Sequence, residues 1–152
     1  MFLTVHASAG IYIGTVITNP WLAFILAIIS HLILDAVPHG DENIGKETDR
    51  KKKIIKLSII AFVDTLGVVI LYYFLTSYFI TPSPAIILGI IGSIMPDYLW
   101  GVYELTKNKI LGWISIHILS YFHNILHTRV SLPVGMLIQA LTLLFFITLV
   151  IL

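Results

Sequence analysis

The chain has no cysteine. That removes disulfide bonds, a thiol nucleophile and every thiolate metal site, so any metal must be held by His, Asp or Glu. Charge is also scarce: nine basic and eight acidic residues make 11% of the 152, against about a quarter in an ordinary soluble domain. So few charges do not cover a surface when 58% of the residues are hydrophobic. Composition therefore argues against soluble globular, disordered and nucleic-acid-binding classes and for an all-α, polytopic helical membrane protein. Met1 to Val5 carry no basic n-region, so no removable leader is expected. There is no phosphate-binding glycine loop, no GxSxG elbow and no internal repeat, and residues 1–152 read as one transmembrane domain.

Five hydrophobic stretches read as helices: about Leu3 to Thr18, Pro20 to Val37, Lys52 to Phe79, Ser83 to Leu105 and Ser131 to Leu152. Asn19-Pro20 marks the turn between the first two, and Pro20 suits a first helical position. A span takes about 20 residues, so the last three cross easily, the second is marginal and the first is short. Ile110 to Phe122 is apolar but too short to cross, and reads as an interfacial or re-entrant helix. With five crossings, all nine basic residues fall on or near the side of the N-terminus: Lys46, Arg50, Lys51, Lys52, Lys53, Lys56, Lys107, Lys109 and Arg129. The opposite loops, around Asn19 and Thr81, carry none. The positive-inside rule makes the basic side cytoplasmic.

Ionisable groups within membrane segments are costly, and each is a functional-site hypothesis. Here they are His6, His31, Asp35, Asp64, Asp97, His117, His123 and His127, with no intramembrane Lys or Arg to balance the carboxylates. His31 and Asp35 form an HxxxD pair, and His123 and His127 an HxxxH pair; i,i+4 spacing puts each pair on one helix face. Two helices each giving such a pair is how bundles build metal sites. Pro96 is expected to kink the fourth helix beside Asp97 and free a carbonyl, the rival reading being that Asp97 caps a broken helix. At about 1.5 Å rise per residue, Asp97 sits roughly 12 Å short of its helix exit and Asp64 roughly 15–18 Å below its entrance. The set therefore converges on a cavity open to the basic side. His39 and Asp41, after Pro38, are second-tier candidates at its mouth. His117 is assigned to interfacial anchoring. The alternative for Asp64 is a protonated helix–helix hydrogen bond.

His6, the segment Ser30-His31-Leu32-Ile33-Leu34-Asp35, Pro96-Asp97 and the pair His123/His127 together resemble the membrane-bound metal-dependent hydrolases. That family includes the LexA-regulated inner-membrane proteins of bacteria and is distantly similar to the zinc-dependent phospholipase C and P1 nuclease group. The motifs are short and spread over most of the chain. Pro96-Asp97 runs into Tyr98-Leu99-Trp100 where the family continues Asp-x-Asp-His, and the HxxxD pair comes early rather than late. The resemblance implies one to three zinc ions held by His and Asp, and phosphodiester cleavage.

The expectation is thus a metal-dependent hydrolase with His6, His31, Asp35, Asp97, His123 and His127 as ligands. Zn²⁺ suits such a donor set, as do Mn²⁺ and Fe²⁺. Asp64 and Asp41 are the candidate general bases. A cavity at headgroup level suits a phospholipid or lipid-linked ester, making membrane lipids the expected partners. The rivals are a divalent-cation or proton transporter and a non-enzymatic membrane protein with a structural metal site. A transporter fits less well, because the far side contributes no charged residue to a crossing path.

Overall fold

The computed structural model describes residues 1–40, 47–123 and 130–152, the His123 side chain excepted. Every regular element in them is helical: α1 (Leu3–Val16), α2 (Pro20–Asp35), α3 (Arg50–Tyr78), α4 (Pro84–Thr106), α5 (Lys109–Ile114), a π-helical turn (Ser115–Leu119), α6 (Ser120–His123) and α7 (Leu132–Ile151). Three helices, α3, α4 and α7, are long and apolar enough to cross a membrane. The expected five crossings are met by length in these three. At 14 and 16 residues, α1 and α2 reach only about 21 and 24 Å. Lys109–Phe122 is likewise an apolar helical segment short of a span.

The Asn19-Pro20 turn acts as expected. Asn19 Oδ1 accepts from the Trp21 and Leu22 N–H groups, and Pro20 opens α2. Asp49 caps α3 and Ser83 caps α4 in the same way. Pro96 does not break α4, which runs continuously from Pro84 to Thr106. Asp97 is therefore not the cap of a second helix.

The centre is built by small residues every fourth position. On α1 they are Gly14 and Gly10; on α2, Ala23 and Ala27; on α4, Ala85, Gly89 and Ser93, all buried. A Cβ on Gly10 would strike the Gly89 carbonyl, and one on Gly92 the carbonyl of Phe24. Backbones in such contact gain dispersion that lipid tails cannot match, the association mode of membrane helices. Large apolar side chains face outward instead, among them Phe62 (66% exposed) and Ile70 (67%), as a lipid-facing surface requires. Continued one more step, each row of small residues ends in a polar side chain: His6 on α1, His31 then Asp35 on α2, Asp97 on α4. The packing that joins the three helices thus also brings their His and Asp residues together.

Candidate metal centre

His6, His31 and Asp97 each offer a ligand atom, and these atoms all lie within 4.8 Å of one another. Both imidazoles are buried, 0% and 1% exposed, and stack with ring centroids 4.0 Å apart. Asp97 Oδ2 lies 4.0 Å from His6 Nε2 and Asp97 Oδ1 3.9 Å from His31 Nε2. Asp35 bridges the rings from beside them: Oδ1 is 3.1 Å from His6 Nε2 and Oδ2 is 3.3 Å from His31 Nε2. The HxxxD pair on α2 therefore shares one face, as its spacing implied. The Met1 amino group also sits 2.9 Å from Asp35 Oδ1.

His31 is oriented from behind. Its Nδ1 lies 2.7 Å from the Ser93 carbonyl, to which it donates. Pro96 lacks the N–H that would meet the Gly92 carbonyl, and the carbonyl His31 uses is the next one along this perturbed turn. With the proton on Nδ1, Nε2 presents a lone pair to the oxygens of both Asp35 and Asp97. Acceptor facing acceptor calls for a cation between them: a proton, making an imidazolium, or a metal ion. A backbone carbonyl fixing the far nitrogen is the usual support of a metal-binding histidine. Four ligands at zinc-like distances of 2.0–2.2 Å stand roughly 3.4 Å apart, so the 3.9 and 4.0 Å separations close with small side-chain shifts. The donors present could hold a metal ion.

Asp64 belongs to a different arrangement. Its Oδ2 accepts from the Leu3 N–H at 2.5 Å and its Oδ1 from the Thr4 N–H at 3.0 Å. The Thr4 hydroxyl also donates to Oδ1. Asp64 thus closes the N-terminus of α1 from α3, and the helix dipole and free N–H groups meet its charge. Neither the general-base reading nor a protonated packing bond included this use. Gln139 does the neighbouring task from α7, with Oε1 accepting from the Phe2 N–H at 2.8 Å and Nε2 donating to the His39 carbonyl at 3.0 Å. Gln139 is 2% exposed. Sequence reasoning that weighed only ionisable residues passed over it. A lone amide inside the apolar run Leu132–Ile151 was the available signal.

His39 is buried, donates Nδ1–H to the Val37 carbonyl at 2.7 Å, and lines the same cavity as His31, Asp35 and Asp97. Gly40 takes a left-handed φ of 72°, and Gly135 packs its bare Cα side against the His39 carbonyl. His117 is exposed and rests on the Trp113 ring, away from the cluster. Asp41, His127 and the His123 side chain lie outside the described residues.

The cavity has a volume of about 860 Å³ and lies between α3 and α4. His31, Asp35, Asp64 and Asp97 form its floor. Its walls are apolar, including Ile54, Leu57 and Phe62 on α3 and Val102 and Leu105 on α4. At the mouth Glu104 pairs with both Lys53 (3.0 Å) and Lys107 (2.8 Å), and Arg50 donates to the Leu105 carbonyl. Counting about 1.5 Å per residue, the floor lies roughly 10 Å below this charged ring along α4, from Glu104 to Asp97. The polar residues thus converge beneath the basic end of the bundle. Comparison with protein-family models, with curated proteins and with solved structures finds no match for this chain.

Proposed function

We propose that this chain is a membrane-embedded metal-dependent hydrolase acting on a phospholipid or lipid-linked phosphoester at the cytoplasmic headgroup level of a prokaryotic inner membrane. The observation that carries the reading is the lone pair of His31 Nε2, fixed by the Ser93 carbonyl and turned towards Asp35 and Asp97 beside His6. His6, His31, Asp35 and Asp97 would hold Zn²⁺, or Mn²⁺ or Fe²⁺, the Asp35 oxygens lying 3.1 and 3.3 Å from the same two Nε2 atoms. Bound there, the cation supplies Lewis-acid polarisation of a phosphoryl oxygen and ionises water near neutral pH. Asp64, its oxygens taken up by α1, serves to position His6. Asp41 keeps the role of candidate base. The family resemblance supports the same chemistry.

The test is metal analysis of protein purified in detergent without chelators, followed by zinc titration. The expected result is stoichiometric metal, lost in His31→Ala, and chelator-sensitive cleavage of a phosphodiester lipid. Absence of saturable zinc binding would leave a proton as the cation between His31 and its carboxylates, and the hydrolase reading would fall. Reporter fusions at Leu152 test the orientation; a cytoplasmic C-terminus would overturn the five-crossing arrangement.

A further inference from the structure

Small residues do two opposite things in this fold. In the α1–α2–α4 centre they let backbones touch. At the cavity they leave room: a Cβ on Gly101 would meet no atom within 4 Å, and Ser58 and Ala61 line the wall contributed by α3. Among the described residues, side-chain hydrogen bonds join α3 and α4 at two levels. Lys53 and Arg50 reach Glu104 and the Leu105 carbonyl at the mouth, and the Thr65 and Tyr98 hydroxyls meet at 2.5 Å near the floor. Between those levels the helices stand apart, and both are long enough to lie within the bilayer. Protein interiors are close-packed, and a dry apolar gap of this size forfeits contacts all along its lining. In a membrane, hydrocarbon is what fills it.

The mouth carries a net positive charge. A single carboxylate, Glu104, is shared by two ammonium groups, Lys53 and Lys107. The Arg50 guanidinium there gives its hydrogen bond to a neutral carbonyl. Positive charge is left over, beside Trp100, which lies 5.9 Å below Lys53 Nζ and lines the cavity. An amphipathic ring at headgroup depth under a basic cluster is the setting that favours anionic lipid.

We infer that the gap between α3 and α4 is a lipid slot, taking one bilayer lipid sideways with its acyl chain between Ser58/Ala61 and Gly101 and its anionic headgroup under Lys53, Lys107 and Arg50. What happens to that lipid at the His/Asp floor rests on the hydrolase reading, of which this names the substrate as bilayer-borne and negatively charged. The slot itself needs no metal.

Trp100 is the reporter. Trp21→Phe with Trp113→Phe leaves it as the sole tryptophan; a second protein keeps only Trp21, which is 71% exposed at the opposite end, where no basic residue lies. Both are placed, chelator-treated, in vesicles containing brominated-chain phosphatidylglycerol or brominated-chain phosphatidylcholine at equal mole fraction. Expected is an association preference of Trp100 for phosphatidylglycerol of about thirtyfold, the effect of two uncompensated basic residues near a surface. Trp21 is quenched equally by the two lipids. Gly101→Phe, and separately Ala61→Phe from the facing wall, abolish the Trp100 preference without altering Trp21, whose unchanged signal reports intact folding. Equal quenching of Trp100 by both lipids overturns the anionic assignment. A preference that survives both fillings places the headgroup outside the gap and overturns the slot. No quenching of Trp100 at all means that another protein segment, such as a second copy, occupies it. Zinc binding that persists while the lipid result fails removes the slot alone; the reverse removes the hydrolase reading alone.

Discussion

Asp64→Asn separates an anchor from a ligand. In the wild type two carboxylate oxygens accept two backbone N–H groups, from Leu3 and Thr4. Asparagine keeps one oxygen and turns an NH₂ towards the other N–H, donor against donor. One buried N–H is left unmet, at about 1–3 kcal/mol. The charge facing the α1 dipole is also lost, worth up to about 2 kcal/mol when partly buried. A total of about 1–5 kcal/mol follows from those two contributions. The assay is unfolding of the metal-free protein in mixed detergent–SDS micelles, where no ligand role contributes. The variant should unfold at lower SDS and still bind zinc, with affinity down roughly 10–100-fold because His6 follows the displaced turn. If Asp64 were a ligand instead, the metal-free variant would match or exceed wild type, since a carboxylate has been removed from beside others, and zinc stoichiometry would fall. Metal-free stability within about 0.5 kcal/mol of wild type, the range of inconsequential substitutions, would refute the anchoring argument.

The remaining expectations concern the cluster and its scaffold. His6→Ala, His31→Ala and Asp97→Ala should each abolish saturable zinc binding in titrations, whereas His117→Ala, exposed beside Trp113, should leave it unchanged. Gly10→Leu should destabilise by several kcal/mol in SDS unfolding, because even a Cβ there collides with the Gly89 carbonyl, and zinc should be lost with it. Gly101→Leu, a like change on α4 with nothing within 4 Å, should leave stability within about 0.5 kcal/mol.

Much of this architecture is legible in local chemistry. Asn19-Pro20, Asp49 and Ser83 start helices because a short polar side chain before an apolar run meets free N–H groups, whatever the rest of the chain does. The i,i+4 spacing of His31 and Asp35 needs only helix geometry. Asp64 was beyond such reasoning, because its partners are backbone groups sixty positions away. Nothing in Leu3 or Thr4 announces that their N–H groups lie inside the bundle. A helix starting at the water interface would be capped by solvent. One starting within the protein must draw on other helices, and only the packing of α1 against α3 and α7 shows that this is the case. The small residues at every fourth position were not read in the sequence, and their alignment with His6, His31 and Asp97 emerges only when three helices are placed side by side.

Gln139 gives this logic its strictest test, since one carboxamide serves both the start of α1 and the loop that carries His39. Gln139→Leu leaves the Phe2 N–H and the His39 carbonyl unmet, and should cost about 1–3 kcal/mol for each group in the metal-free protein. Gln139→Glu divides the two contacts. Its carboxylate still accepts from Phe2, so α1 stays anchored, but an oxygen now opposes the His39 carbonyl and displaces that loop. If His39 contributes to the metal centre through the cavity it shares with Asp35 and Asp97, Gln139→Glu should weaken zinc about 10-fold or more while Gly10 and Gly89 keep their contact. The effect should vanish in a His39→Ala background, because the side chain that links position 139 to the metal has been removed. Fully additive losses in the double variant would show that the two side chains act separately. His39 would then belong to the loop's packing, and the metal centre would reduce to His6, His31 and Asp97 with Asp35 beside them.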